Sequence, residues 1–174
     1  MTDALTMPAA DVDLKVKPPP FVIRMATLAD LPEGMAMYRD FVAEGDLAAF
    51  PFDDPEEVER IMTAAIAEGR TVVGEMADGS IGGVLALRPA RFPHSKRDYL
   101  ADLWYYVAPE ARSTGLARRL LEAARDYAAK CGLPALFAPM AGTDPAKVDR
   151  FYSILGFHRI GGVYLWTPPP REKG

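Results

Sequence analysis

The chain has 174 residues, of which 49% are hydrophobic and 25% charged, and its formal net charge is −4. This length suits one domain with a sizeable core and is short for two, and the composition is that of an ordinary globular protein. The negative charge argues against nucleic-acid binding, and no apolar run approaches the roughly 20 residues of a membrane helix. Because the N-terminus also lacks a signal-peptide pattern, we expect a cytoplasmic protein without membrane contacts.

Cysteine and histidine are scarce in this chain. Cys131 is the single cysteine, so no internal disulfide can form, and its place on the apolar stripe of a predicted helix predicts a buried, inert thiol. His94 and His158 are the two histidines. Because so few imidazole and thiol ligands are present, we expect no metal cofactor.

The two ends of the chain lack hydrophobic periodicity. Residues 1–20 finish in a proline run that cannot be helical, so we predict a flexible N-terminal arm there. Residues 21–167 then form a single domain, and residues 168–174 form a C-terminal tail.

The domain begins with an apolar strand over residues 21–26. Thr27, followed three residues later by Asp30, predicts a capped helix start. The apolar stripe of this helix consists of Leu31, Met35, Tyr38 and Val42. A second helix follows, with Asp54 as N-cap and Pro55 at the first helical position. The chain therefore starts as strand, helix, helix.

Three strands and a long helix form the middle of the chain. Residues 71–76 and 81–89 flank an Asp78-Gly79 turn, the strongest short signal for a β-hairpin. Residues 99–108 form the third strand. An amphipathic helix begins after residue 115. Its apolar stripe consists of Leu116, Leu120, Ala124, Tyr127 and Cys131.

The last part of the domain returns to strands. Residues 133–140 form a short buried strand, Asp144-Pro145 begins another helix, and residues 157–166 form a closing strand pair. The stripe of that helix consists of Val148, Phe151, Tyr152 and Leu155. Antiparallel strands in the middle and a crossover helix between later strands predict a mixed α/β domain.

The segment RSTGLA, residues 112–117, stands at the start of the long helix. A helix N-terminus presents unpaired N–H groups and a partial positive charge, so it can bind a phosphate. Gly115 permits close approach, Arg112 adds a cation, and a neighbouring hydroxyl can cap the helix or bind the anion. On local chemistry alone, the segment can also be a plain helix start. Neither G-x-x-x-x-G-K-[ST] nor G-x-G-x-x-G occurs, which disfavours nucleotide hydrolysis and dinucleotide redox chemistry.

Two motifs give this segment a context. Residues 112–117 match the pattern [QR]-x-x-G-x-[GA], beginning five residues after a strand that ends at Val107. The helix that contains Tyr152 ends in Gly156-Phe157. In these motifs, and in the order of its elements over residues 21–166, the chain resembles the GNAT superfamily of acyl-CoA-dependent N-acetyltransferases. The resemblance implies a GNAT-like α/β fold with a mixed, mostly antiparallel sheet of six to seven strands and about four helices.

The resemblance also implies an acyl donor and the residues that bind it. Acetyl-CoA is the expected donor, and its pantetheine arm would pair with strand backbone near Tyr105, Tyr106 and Val107. Its diphosphate would be held by the backbone amides of Arg112, Ser113, Thr114, Gly115, Leu116 and Ala117. Tyr152 takes the position of the general acid that protonates the departing thiolate. Without the resemblance, Tyr152 would be read as a core aromatic residue.

The implied reaction moves the acetyl group to a neutral primary amine, so another group must accept the proton of the amine. Asp102 is the first candidate, because the family often carries an acidic residue on this strand, and Glu75 is the second. Each is otherwise a solvated or salt-bridged strand carboxylate. The chain departs from the family at Pro145 and Val148, where many members have asparagine and alanine, and Asp144 is a candidate to supply the missing asparagine contact.

The identity of the acceptor stays open. Residues 44–55 join the first two helices, and we expect their apolar and acidic side chains to line an acceptor pocket. These are Glu44, Asp46, Phe50, Phe52 and Asp53. We expect acetyl-CoA and an amine as partners and no nucleic acid, and a homodimer is left open. The alternatives are a non-catalytic acyl-CoA-binding module and a structural α/β domain without a ligand.

Overall fold

The computed structural model describes residues 20–44, 54–138 and 144–161. Within these ranges, five strands, β1 to β5, form one sheet in that spatial order: Phe21–Met25, Thr71–Met76, Ile81–Arg91, Asp98–Val107 and Ala135–Leu136. The same ranges contain four α-helices, α1 to α4: Leu31–Glu44, Pro55–Ala67, Leu116–Cys131 and Pro145–Ile154. Short 3₁₀ helices at Leu28–Asp30 and Pro109–Thr114 precede α1 and α3.

The sheet is mixed and mostly antiparallel. Strands β1 to β4 pair antiparallel, whereas β4 and β5 pair parallel across the crossover formed by α3. The predicted α/β fold class is therefore confirmed. The prediction of six to seven strands was too high for the part that the structure describes. Residues 157–161 form no strand, and residues 162–166 lie outside the described residues. A two-residue β5 offers few backbone groups against which a further strand could pair.

The two faces of the sheet carry separate apolar cores. On one face, Leu116 and Leu120 of α3 pack with Leu85 of β3. On the other face, Trp104 and Tyr106 of β4 belong to a core with residues of α1 and α2. Alternate residues of β4 therefore contact different helices, and the second half of this strand is held from both sides.

The first helices and the hairpin follow their local signals. The N–H of Thr27 donates to the Asp30 carboxylate at 2.7 Å. Asp54 accepts the N–H of Glu56 at 3.1 Å. Each bond satisfies a backbone donor that a helix start leaves unpaired. Gly79 has a φ of +88°, the left-handed conformation that the predicted turn between β2 and β3 favours.

Cys131 is exposed, so the prediction of a buried thiol was wrong. The apolar stripe of α3 runs from Leu120 through Ala124 to Ala128, which is 4% exposed. Because side chains four residues apart follow one face of a helix, Ala128 rather than Cys131 continues this stripe in the last turn.

Gly74 of β2 lies directly beneath α3, and a larger residue there should destabilise the fold. A Cβ atom at this position would lie 2.2 Å from Leu116 Cδ1, and the Leu116 side chain is 0% exposed. Because no space exists into which Leu116 could move freely, we expect Gly74→Ala to lower the free energy of unfolding by about 1–3 kcal/mol. Urea titration of the variant and the natural chain measures this difference.

Gly34→Ala in α1 is the matched control for this substitution. Its Cβ atom would meet Met62 Cε at 3.2 Å, which is the far end of a flexible side chain. Alanine also favours the helix by about 1 kcal/mol over glycine, so we expect little or no loss of stability. An equal loss in both variants would contradict the packing argument.

Candidate active site

The sheet opens between β4 and β5. These strands pair at only two positions, Leu100 with Ala135 and Ala101 with Leu136. Beyond them, the edge of β4 over residues 102–107 has no strand partner among the described residues. An unpaired strand edge presents backbone N–H and C=O groups, which an extended ligand can use.

A β-bulge in β4 determines which side chains meet beside this opening. Ala86 of β3 lies opposite Trp104. The next residue, Leu87, lies opposite Asp102, so one residue of β4 between them has no partner. The extra residue shifts the alternation of side chains by one position. Asp102 and Tyr105 therefore share the face that α3 and α4 cover, although three positions separate them.

Tyr152 of α4 lies on this same face. Its hydroxyl is buried and has no hydrogen-bond partner among the described residues. Its ring packs against Phe137, Phe151 and Phe157, with centroid separations of 6.1, 5.8 and 5.5 Å. Burial raises the pKa of the Tyr152 hydroxyl well above its ordinary value, and the negative charge of Asp102 raises it further. The group is therefore a neutral phenol throughout the neutral pH range.

Asp102 lies where the two strands diverge. Its Oδ1 accepts the backbone N–H of Ala138 at 3.1 Å, just beyond the end of β5. Burial raises the pKa of the Asp102 carboxyl, because the charged form loses solvation. The fold thus brings Asp102 and Tyr152, which are candidates in the sequence for separate reasons, to one place at the opening of the sheet.

Glu75, the second candidate base, is engaged elsewhere. It lies opposite Val22 of β1 and forms an ion pair with Arg24. The Arg24 guanidinium also donates to the Asp30 carboxylate at 2.8 Å. Because its carboxylate is bound by this arginine, and because β2 is separated from the opening by β3 and β4, Glu75 is not placed to act as the base.

The turn before α3 has open space at Gly115. This glycine has a φ of +86°, and a Cβ atom built on it meets no heavy atom within 4 Å. The first helical bond runs from Arg119 N to Gly115 O at 3.2 Å, so the intervening N–H groups have no carbonyl partner in the helix. One of them, Leu116 N, lies 3.3 Å from Thr114 Oγ1. The turn therefore combines open space with the donors of a helix start.

The predicted diphosphate residues differ in what their side chains do. Thr114 donates its hydroxyl to a carbonyl of the preceding turn at 2.7 Å, and Ser113 is exposed. The side chain of Leu116 is fully buried in the core, so only its backbone can meet a ligand. Ala117 O accepts the hydroxyl of Tyr105 at 2.9 Å, a bond that ties α3 to β4.

The guanidinium of Arg112 is engaged by β4 and α1. Its Nε donates to Val107 O at 3.0 Å, and its Nη2 forms an ion pair with Glu44. The Tyr106 hydroxyl donates to Glu44 Oε1 at 2.6 Å, and the guanidinium carbon lies 5.6 Å from the Tyr106 ring centroid. Burial, together with Glu44, raises the pKa of Tyr106 to about 12. The cation expected beside the helix start is therefore already paired.

No local pattern could have indicated this contact, because the partners of Glu44 lie 62 and 68 residues further along the chain. From its sequence position, Glu44 is expected in the acceptor pocket. The remaining pocket residues named from the sequence fall within residues 45–53, outside the described residues. Asp144 accepts the N–H of Ala146 at 3.0 Å as the cap of α4.

Neither a membrane-spanning helix nor a group of metal-binding side chains occurs within residues 20–44, 54–138 and 144–161. No helix in these ranges is long and apolar enough to cross a membrane. The same ranges hold no group of three or more metal-binding side chains.

Solved acetyltransferases share this fold. Mosquito arylalkylamine N-acetyltransferase like 5b has a TM-score of 0.66 at 18% identity, covering 81% of this chain and 84% of its own. A predicted acetyltransferase from Clostridium acetobutylicum, solved with acetyl-CoA, has a TM-score of 0.64 at 17% identity, and the match covers 84% of this chain and 96% of its own. Aminoglycoside antibiotic 6'-N-acetyltransferase AAC(6')-Ih from Acinetobacter baumannii has a TM-score of 0.59 at 16% identity, and the match covers 87% of this chain and 99% of its own. At these identities, the likeness shows a common fold.

The sequence itself shows the family. The family model described as acetyltransferase (GNAT) family matches residues 36–157, which is more than half of the chain. The chain therefore belongs to the GNAT acetyltransferase family, and the resemblance seen in its motifs is confirmed. The matched range includes both Gly115 and Tyr152. No curated protein matches the chain.

Proposed function

We propose that the chain transfers an acetyl group from acetyl-CoA to a primary amine by direct attack. The amine nitrogen bonds to the thioester carbonyl carbon, the carbon–sulfur bond breaks, and Tyr152 donates its hydroxyl proton to the departing sulfur. The observation that carries the proposal is the buried Tyr152 hydroxyl, which has no described partner and lies beside the open edge of β4. A buried polar group without a partner costs stability, so such a group is expected where a ligand completes it.

Acetyl-CoA is supported as the donor by two surfaces of the fold. The open edge of β4 can pair with an extended pantetheine arm through main-chain groups near Tyr105, Tyr106 and Val107. The helix start at residues 112–117 can take the diphosphate through its N–H groups. Because the Arg112 side chain is paired, this residue would contribute its backbone. The neighbour from Clostridium acetobutylicum was solved with acetyl-CoA.

The raised pKa of Tyr152 suggests when the proton moves. A phenol that resists ionisation is a poor donor to a ground-state thioester, so transfer accompanies carbon–sulfur cleavage, as negative charge develops on sulfur. The same charge strengthens a hydrogen bond from the hydroxyl, which supplies its missing partner. The nearby Asp102 carboxylate disfavours the tyrosinate, so Tyr152 regains a proton from solvent before the next cycle.

Asp102 is our proposed acceptor for the proton of the amine, either directly or through water. Its raised pKa makes the carboxylate a stronger base than an ordinary aspartate. The hydrogen bond from Ala138 N to Oδ1 holds the group at the opening of the sheet. The amine gives up its proton here, whereas sulfur receives a different proton from Tyr152.

Asp102→Asn tests this role, because the amide oxygen can still accept the Ala138 N–H but cannot take a proton. In the natural chain, kcat/KM should fall as the pH drops through the raised pKa of Asp102. We expect the variant to lose that acidic limb. We also expect kcat/KM at pH 7 to fall by about tenfold, which is less than the loss typical for a general base, because water can substitute for the carboxylate. Rates measured from pH 5 to 9 provide the comparison. An unchanged pH profile would exclude Asp102 as the base.

The stability of the same variant gives a second readout. A carboxyl whose pKa is raised by folding stabilises the native state when protonated, and this contribution is lost as the pH rises through its folded pKa. Asparagine does not ionise. We therefore expect Asp102→Asn to be more stable relative to the natural chain at pH 7 than at pH 3, as measured by thermal unfolding.

A primary amine with an apolar portion is our proposed acceptor class. The aminoglycoside and arylalkylamine enzymes with the same fold carry the names of amine substrates. In this chain, α1 and β4 meet through aromatic rings, Tyr38 against Trp104 and Phe41 against Tyr106, each with a centroid separation of 6.0 Å. Trp104 and Tyr106 are buried in the apolar core on the face of the sheet opposite to Tyr152, and the partly buried rings of Tyr38 and Phe41 pack against that core.

Thiol release from acetyl-CoA over a panel of amines tests the proposed activity. The panel should contain aryl-alkyl amines, aminoglycosides, polyamines and short peptides with free N-termini. We expect at least one amine to produce thiol release, and this release should require both acetyl-CoA and that amine. Thiol release that is independent of any amine would contradict amine transfer.

Thermal unfolding with acetyl-CoA separates the two non-enzymatic alternatives. A ligand at about 100 times its Kd adds roughly 2.7 kcal/mol to the stability of the state that binds it. A structural domain without a ligand predicts no shift. A non-catalytic acyl-CoA-binding module predicts the shift without turnover of any amine.

A further inference from the structure

Glu44 joins the end of α1 to two segments that lie more than 60 residues further along the chain. It is the last residue of α1, and its two carboxylate oxygens bind different partners. Oε1 accepts the Tyr106 hydroxyl of β4 at 2.6 Å, and Oε2 pairs with Arg112 in the turn before α3. The Arg112 Nε donates to Val107 O at 3.0 Å and so closes the network on the end of β4.

This network connects the proposed donor site with the side from which the acceptor is expected. Val107 ends the strand edge proposed for pantetheine, and Arg112 begins the turn proposed for the diphosphate. Glu44 ends the helix that leads into residues 45–53, the segment expected to line the acceptor pocket. Phe41, one turn earlier in α1, packs on the Tyr106 ring at 6.0 Å and adds an apolar contact to the polar ones.

We propose that Glu44 is a positioning residue that couples CoA binding at residues 112–117 to the C-terminal turn of α1. The inference rests on the proposed function for the location of the CoA diphosphate. A ligand that orders the turn at Arg112 also orders the partner of Glu44, and through it the end of α1. By linkage, an ordered α1 end favours CoA binding by the same factor.

The contact geometry limits the size of this coupling. The Arg112 and Glu44 side chains are 49% and 37% exposed, so solvent screens their ion pair. Pairs of this kind contribute at most about a fivefold change in an equilibrium constant. The effect should therefore modulate binding without being needed for it, which lets the variant fold and still bind CoA.

Hydrogen–deuterium exchange with and without CoA tests the coupling on the full chain. In the natural protein, we expect saturating CoA to slow amide exchange at residues 113–118 and also, by about two- to fivefold, at residues 40–44. In Glu44→Gln, protection at 113–118 should persist while protection at 40–44 disappears. Tyr106→Phe, which removes the other bond to Glu44 and keeps the ring, should weaken protection at 40–44 in the same way.

Glu68→Gln is the matched control, because Glu68 also pairs with an arginine, Arg70, but lies at the opposite end of α2 from residues 45–53. It should leave both protected regions unchanged. Equal protection of residues 40–44 in Glu44→Gln and in the natural chain would overturn the coupling. If CoA protected residues 113–118 of the natural chain but not residues 40–44, the coupling would also be overturned, and the proposed function would stay intact. An absence of protection at 113–118 would overturn the proposed diphosphate site itself, and the coupling with it.

Discussion

Replacing Tyr152 with phenylalanine should reduce the rate of thiol release by about 10²- to 10⁴-fold, the range typical for loss of a general acid. The substitution removes one hydroxyl and keeps the ring that packs against Phe137 and Phe157. Because that hydroxyl is buried without a described partner, its removal should leave the free protein as stable as before or slightly more stable. The expected result is therefore an inactive chain that still folds and still binds CoA.

Three measurements separate this outcome from simple damage to the fold: thiol release, the Kd for CoA, and the free energy of unfolding. Tyr99→Phe is the matched control, because Tyr99 lies on the same strand as Asp102 but near the β3–β4 turn, where its ring stacks on Phe92 at 4.7 Å. We expect this variant to keep its activity. A Tyr152→Phe chain with unaltered kcat would mean that Tyr152 is a core aromatic residue and that another group protonates sulfur.

Gly115→Glu should abolish CoA binding, with a loss of affinity of about 100-fold or more. The position is open, so the new carboxylate would occupy the space beside the helix start and repel a diphosphate there. The backbone contributes as well, since a φ of +86° strains any side chain by about 1–2 kcal/mol. Titration of CoA by calorimetry measures the change directly.

Gly132→Glu provides a close control at the other end of the same helix. Gly132 also has a positive φ, +66°, and a Cβ atom built on it likewise meets no heavy atom within 4 Å. The variant introduces the same charge and a similar strain but lies at the C-terminus of α3. We expect it to lose stability and to retain CoA affinity. If both variants lost CoA binding equally, the effect would come from the fold and not from a diphosphate site.

The local features of this protein could be predicted from the sequence. The N-cap at Asp54, the turn at Gly79 and the glycine at the start of α3 depend on residues within a few positions of one another. The residue type and the short-range spacing therefore contain most of the physical information. The motifs at residues 112–117 and at Tyr152 likewise identified the family, because each is confined to a short segment.

The candidate site depends on distances that no short segment contains. The bulge that lets Asp102 and Tyr105 share a face arises from the register between β3 and β4. The bond from Ala138 N to Asp102 Oδ1 forms across the opening between two strands. The apolar pattern of a single strand does not show where its pairing with the next strand contains an extra residue. The side-chain alternation predicted for β4 therefore misses the shift at the bulge.

Cys131 and Glu44 differ from their sequence predictions because packing between segments decides their surroundings. Cys131 lies in a helix that the sequence predicts well, yet its exposure depends on which residue of the last turn meets the core. The sequence predicts Glu44 in the acceptor pocket, yet in the fold its carboxylate binds Tyr106 and Arg112. The sequence by itself determined most of the elements, their caps and the family, since these follow from local propensity and short motifs. Only the tertiary structure decided which polar groups meet, because that depends on strand register and helix packing over long separations.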